Sequence, residues 1–243
     1  MSKRVAAWVL PLLSMMVLQP VLHAAEQKPA IADWIPRDAI LVIEVKQPEA
    51  LLDLVTSEQM VSAITSSPAY QKQMQTEKFR EFIGIVRYLE AKLNTDWQTG
   101  LRNLLGGGVT FAVLPDDAVL LAVDAKDPAL LKELHEIVLN FSRDEARREG
   151  QPERVKSADY RGLTGWTLGG SDAHVLIDGR LLMTSKSDQL KPVLDLSLES
   201  GASLGTLPAY QAAQDAAGSN AVATLYVNMQ VLRQHPPIRQ ALE

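Results

Sequence analysis

The sequence predicts an α+β protein: a predominantly antiparallel sheet covered by helices and built from repeated strand-turn-helix units. Three observations carry that expectation. Short apolar runs alternate with longer stretches in which apolar residues return every three or four positions. Two of the short runs are joined by Asp178-Gly179 alone, and a two-residue Asp-Gly link between apolar runs marks a tight hairpin. Finally, "EVKQPEALLDL" (44–54) has a near twin in "DAKDPALLKEL" (124–134).

The first strand, 39–45, reads "AILVIEV", a nearly continuous apolar run that predicts burial on both faces. Pro48 suits the first turn of the helix that follows, which carries Leu51, Leu52 and Val55. Ser66-Ser67-Pro68 breaks the next stretch and restarts it. A helix over 77–93 places Phe79, Phe82, Ile83, Val86, Leu89 and Leu93 on one stripe. Asn94 suits its C-terminal cap, and Asp96 caps a helix that Gly106 closes. Strands over 109–114 and 118–124 flank the turn Pro115-Asp116-Asp117. A long helix over 128–148 ends in the charged run 143–156, read as a solvated helix end and loop. Strands at 162–168, 173–177 and 180–185, helices at 187–198 and 208–217, a strand at 221–227 and a helix from Asn228 complete the pattern.

The twin segments align Lys46 with Lys126, Pro48 with Pro128 and Leu51 with Leu131. Weaker copies place Lys186 at the same point and end with "LYVNMQVL" (225–232), giving repeats over 36–60, 109–149, 173–198 and 221–241. An apolar strand must be covered, and a helix that starts immediately can fold back over its own sheet. Asp127, Ser187 and Asn228 supply the caps. The recurring lysines are either a row that binds an anion or charges that solubilise strand ends; the negative net charge favours the second.

The N-terminus has the layout of a signal peptide over 1–25. Lys3 and Arg4 precede an apolar run over 6–18, and Ala24-Ala25 offers the cut. The run is shorter than the ~20 residues a membrane-spanning helix needs. A polar leader over 26–35 then precedes the α+β domain over 36–243. Loss of Lys3 and Arg4 makes the mature chain two charges more negative than the −5 of the full sequence. An acidic chain without a basic block excludes nucleic acid as an expected partner, and no membrane span is expected after signal cleavage. The absence of cysteine excludes disulfides, thiolate metal sites, a cysteine nucleophile and a lipid-modified cysteine.

No catalytic residue, cofactor-binding residue or metal ligand is assigned, and no cofactor is expected. His135-Glu136 begins like a zinc-protease helix, but Leu139 stands where the second histidine belongs. His135, His174 and His235 therefore read as surface or polar-core residues. Gly106-Gly107-Gly108 closes a helix and leads into a strand, the reverse of a phosphate loop. Asn140-Phe141-Ser142 matches a glycosylation acceptor only formally, since it falls in a helix. The carboxylate pairs Asp116-Asp117 and Glu44 with Asp124 stay open as acid/base candidates. Trp34, Trp97, Trp166, Tyr160, Tyr210 and Tyr226 are the aromatics that could line a groove, with Trp97 read as a core anchor.

An ordered set of motifs carries a resemblance. It comprises Pro36-x-Asp38-Ala39, Gly107-Gly108-Val109, Tyr160-Arg161-Gly162, "SLGTLPAY" (203–210) and "LYVN" (225–228). Over nearly all of the mature chain the sequence resembles a family of exported bacterial proteins defined only as a domain of unknown function. The resemblance implies an α+β fold, an exported location and no assigned activity. Members are often longer, so the chain is expected to be the N-terminal part of a longer protein. The leading functional expectation is a periplasmic or secreted protein with a non-catalytic binding or structural role and an unknown ligand or protein partner. The alternative is an exported hydrolase with a site assembled from distant residues.

Overall fold

Tight turns with left-handed backbone build much of the sheet. Asp178 and Gly179 take φ of 48° and 74°, the type I′ geometry expected of that pair, and join β6 (Ala173–Ile177) to β7 (Arg180–Thr184). Arg161 and Gly162, at 51° and 85°, do the same between β4 (Lys156–Tyr160) and β5 (Leu163–Thr167). Asp116 and Asp117, at 60° and 57°, turn β2 (Gly108–Val113) into β3 (Val119–Asp124). With β1 (Leu41–Val45) and β8 (Ala223–Val227), these form one sheet in the order β4-β5-β6-β7-β3-β2-β1-β8. Every neighbouring pair is antiparallel. The computed structural model describes residues 28–234; the segment read as a signal peptide, the first residues read as a leader, His235 and the end of the expected repeat over 221–241 lie outside the described residues.

The helices are α1 (Pro48–Val55), α2 (Glu58–Thr65), α3 (Pro68–Met74), α4 (Glu77–Leu93), α5 (Trp97–Leu105), α6 (Pro128–Arg148), α7 (Leu190–Leu198), α8 (Pro208–Ala217) and α9 (Met229–Leu232). Their caps follow the sequence except at Ser187, which opens a 3-10 turn ahead of α7 and makes no side-chain cap; Asn228 accepts from Val231 N. Asp96 accepts from Thr99 N, Asp127 from Ala129 N and Leu130 N, and Asn94 takes φ of 47°.

Register places Val42, Ala112, Leu120, Leu182 and Val175 on one face of the sheet, where they form the core with Leu190, Val193 and Leu194 of α7, Leu204, and Tyr210 of α8. The segment read as a polar leader joins this core: Ala32, Trp34 and Ile35 are buried, and Leu204 N donates to Ile35 O. A short 3-10 turn, Ile31–Asp33, brings Ala32 and the Trp34 and Ile35 that follow it to one side, and their burial outweighs the polar residues around them.

Three further expectations need correction. The strand read as buried on both faces is covered on one: Val42 and Glu44 are buried, whereas Ile43, its neighbour Phe111 and its neighbour Leu225 are exposed on the other side. Trp97 is no core anchor; it is 47% exposed. The charged run 143–156 ends in a strand, β4, that the loop reading missed. As an edge strand with four exposed residues it has no buried face to impose alternation. The stripe of α4 is partly right. Phe79, Ile83, Val86, Leu89 and Leu93 are half-buried, but Phe82 points to solvent, and no residue of α2, α3 or α4 is fully buried.

Strand-turn-helix order recurs at β1–α1, β3–α6, β7–α7 and β8–α9. Because β2 lies between β1 and β3, those two strands run parallel and leave the sheet at one end, while β7 and β8 leave at the other. Lys186 is thereby separated from Lys46 and Lys126, so the three do not form a row. Each has its own partner: Gln214 Oε1 for Lys46, Glu49 for Lys126, and Asp116 O for Lys186.

Candidate binding site

The core face becomes polar toward one end of the sheet. One row runs through Val42, Ala112 and Leu120. The next holds Thr224, Glu44, Thr110, Ala122 and Leu182. The outermost holds Gly108, Asp124 and Arg180 side by side, with Lys46 just past the end of β1. Gly108 contributes no side chain to that row, so a gap opens between Lys46 and Asp124. Residues 28–31 pass over it, and the result is a cleft of about 350 Å³ lined by charged groups.

The glycines before it have structural reasons. A Cβ on Gly107 would sit 2.6 Å from Asp124 O, and Gly107 N donates to that same oxygen at 3.0 Å. Gly108 takes φ of 127°, a conformation that L residues rarely adopt.

Arg180 is 2% exposed. Its Nε and Nη2 donate to the two oxygens of Asp124 at 2.8 and 3.0 Å, and Nη2 also donates to Pro29 O at 2.9 Å. The guanidinium lies over the Trp34 ring at 4.2 Å, a cation–π contact. Lys28 Nζ adds a third donor to Asp124 at 2.6 Å. Nη1 of Arg180 is buried with no hydrogen-bond partner among the described residues.

Glu44 is 7% exposed. Tyr210 Oη donates to its Oε1 at 2.7 Å, and Gln214 Nε2 and Thr224 Oγ1 donate to Oε2 at 2.8 and 3.3 Å. Burial, reinforced by the Glu44 carboxylate, pushes the Tyr210 phenol far above the ordinary tyrosine range, so it stays a donor at any physiological pH.

Of the carboxylate pairs read from the sequence, Glu44 and Asp124 do meet in one cleft, whereas Asp116-Asp117 lies in the turn between β2 and β3, which leaves the opposite end of the sheet. Tyr210 belongs to the shell of Glu44, and its ring meets Tyr226 edge-on at 5.3 Å. Trp34 supports Arg180. Tyr160 lies elsewhere, donating to Asp195. Sequence reasoning missed Arg180 and Thr110. The available signal was a lone arginine opening an otherwise apolar strand just after a hairpin turn.

His135 on α6 and His174 on β6 also meet, Nε2 to Nε2 at 3.1 Å, on the opposite face of the sheet. Desolvation pulls both below the ordinary histidine range, and for His174 the neighbouring His135 adds to it. One ring must donate and the other accept, so the contact cannot hold with both rings protonated. Among the described residues no group of three or more histidine or acidic side chains could hold a metal ion.

Two other hollows are larger and less built. One, of about 620 Å³, lies against the Gly150–Arg154 loop, where Arg154 is already paired with Glu149 and Glu145. The other, of about 500 Å³, is lined by Asp195, which is held by Arg161 and Tyr160.

Fold and site together define an α+β protein whose described residues form one antiparallel sheet with a charged cleft at one end of its core face. The chain belongs to the family described as protein of unknown function (DUF3352), whose profile matches residues 5–242. No curated protein and no solved structure matches the chain. Among the described residues no helix is long and apolar enough to cross a membrane.

Proposed function

We propose that the protein is exported and acts in the periplasm or outside the cell by binding a ligand, without catalysis. The N-terminal pattern of Lys3-Arg4, the apolar run over 6–18 and Ala24-Ala25 supports export. One observation carries the binding reading: each carboxylate of the cleft is already held by three donors from the protein. A general base must reach the proton it removes through an accessible lone pair, and three donors occupy most of the roughly four acceptor sites of a carboxylate. Asp124 accepts from Arg180 twice and from Lys28, and Glu44 accepts from Tyr210, Gln214 and Thr224. Such carboxylates hold a fixed arrangement of charge, and preorganised polar groups favour binding because little order is lost when a ligand arrives.

The test uses the mature chain. It is offered chromogenic esters, phosphate esters and glycosides, and then a library of small molecules followed through the backbone amide signals of Gly107, Gly108 and Thr110. The expected result is no turnover together with saturable shifts at those amides. Turnover that Glu44→Gln abolishes would establish the hydrolase instead.

A further inference from the structure

We propose that the cleft takes a small monocarboxylate, bound by the hydrogen-bond donors that the protein leaves unspent; this rests on the binding role proposed above.

Arginine has five N–H groups. Arg180 commits its Nε–Nη2 edge to Asp124 and Pro29, and the Nη1 group is buried and unpartnered among the described residues. Lysine has three N–H groups. Lys28 is seen to direct one at Asp124, and Lys46 one at Gln214. The Thr110 side chain, buried in the row next to Glu44, has no hydrogen-bond partner among the described residues. The acceptors of the cleft are the reverse case, since Asp124 and Glu44 each already receive three donors. A buried donor without an acceptor costs free energy until something supplies one. What fits is therefore an acceptor-rich group.

Charge narrows the class. Lys28, Lys46 and Arg180 face Glu44 and Asp124, which leaves one positive charge over. A monoanion balances it. A dianion would leave a negative charge next to two carboxylates in a partly desolvated site, where unpaired charge is expensive. A carboxylate presents two coplanar acceptor oxygens, so one can take the remaining Nη1 group and the other a neighbouring hydroxyl. The overlying Pro29, Ala30 and Ile31 are apolar and suit a short aliphatic tail.

The mature chain is titrated with sodium butyrate, butyramide and inorganic phosphate at constant ionic strength, reading the Gly107, Gly108 and Thr110 amides by NMR. Butyrate is expected to saturate, butyramide to give no saturable shift, and phosphate to bind more weakly. Removing one hydrogen-bond donor should weaken butyrate about 5-fold, so Thr110→Val and Lys46→Gln should each do so. Both lie outside the Arg180–Asp124 pair, so they test the site without opening its anchor. An Arg180→Lys variant that folds should lose butyrate binding. Equal response to butyrate and butyramide, preference for phosphate, no saturable response to butyrate, or unchanged affinity in both variants overturns the proposal. If a neutral or cationic compound moves these amides where butyrate does not, the carboxylate assignment fails and the binding reading stands. If no compound of any class moves them, both fail.

Discussion

At the scale of the residue, Gly179 shows how closely one position can be constrained. Its φ is +74°, and a Cβ there would lie 2.7 Å from Pro128 Cγ at the start of α6. Gly179→Val therefore combines a strained backbone, about 1–3 kcal/mol, with a clash against a neighbouring helix. The expected outcome is a melting temperature lower by roughly 2–4 °C per kcal/mol, with butyrate affinity unchanged; thermal unfolding and titration of the same sample check both. The histidine pair gives a pH dependence. His135 and His174 have folded pKa values below their unfolded ones, so the unfolded chain binds protons more readily. Their contribution to stability is complete above the ordinary histidine pKa of about 6.5 and is lost as pH falls through the lowered folded values. Glu136 and Asp172 oppose the shift, and Arg143 enlarges it for His135. Melting temperature should fall between pH 7.5 and 5, and less so in His174→Phe; an identical fall in that variant would remove the pair as its cause.

At the scale of the element, α2, α3 and α4 contrast with the sheet. None has a fully buried residue; Tyr70 of α3 meets Phe79 of α4 edge-on at 5.8 Å, a contact within the group, and the stripe residues of α4 are only half-buried. Segments with little buried surface open at low free energy cost. Amides of 58–93 should exchange with solvent in mild denaturant while those of β1, β2 and β3 stay protected, and hydrogen exchange by mass spectrometry reads the difference. The repeat belongs to this scale too, and we propose that 36–60 and 109–149 are copies of one unit. Gln47 and Asp127 precede the two helices with similar backbone angles (φ −126°, ψ 69° and φ −115°, ψ 96°), yet only Asp127 makes a side-chain cap. Gln47→Asp should then create the missing cap and stabilise the protein by about 1 kcal/mol. No rise in melting temperature would show that the two turns are not equivalent.

At the scale of the whole molecule, the proposed export would set where a ligand is met. N-terminal sequencing of the protein from its native cells should begin near Ala25 or Glu26, and an intact Met1 in the cytoplasm would overturn the proposal. A start at Ala25 or Glu26 would leave only two or three residues before Lys28, which is paired with Asp124 at the cleft.

Local rules were legible along the chain because their causes are local. Pro48 and Pro128 open helices, Asp96 and Asp127 cap them, Asn94 ends one, and Asp178-Gly179 turns a hairpin, each through forces acting within a few residues. Charge, the lack of cysteine and the α+β class followed from composition and periodicity. The order of the strands did not, because neighbours such as β1 and β8 or β3 and β7 are far apart in sequence and any apolar strand can pair with several others. Burial of Trp34 and Ile35, exposure of Ile43 and Trp97, and the edge strand β4 likewise depend on which element comes to lie over which. The cleft is the extreme case. Glu44, Thr110, Asp124 and Arg180 come from four strands and become one site only when register sets them in adjacent rows of a single face, a relation that tertiary pairing alone decides.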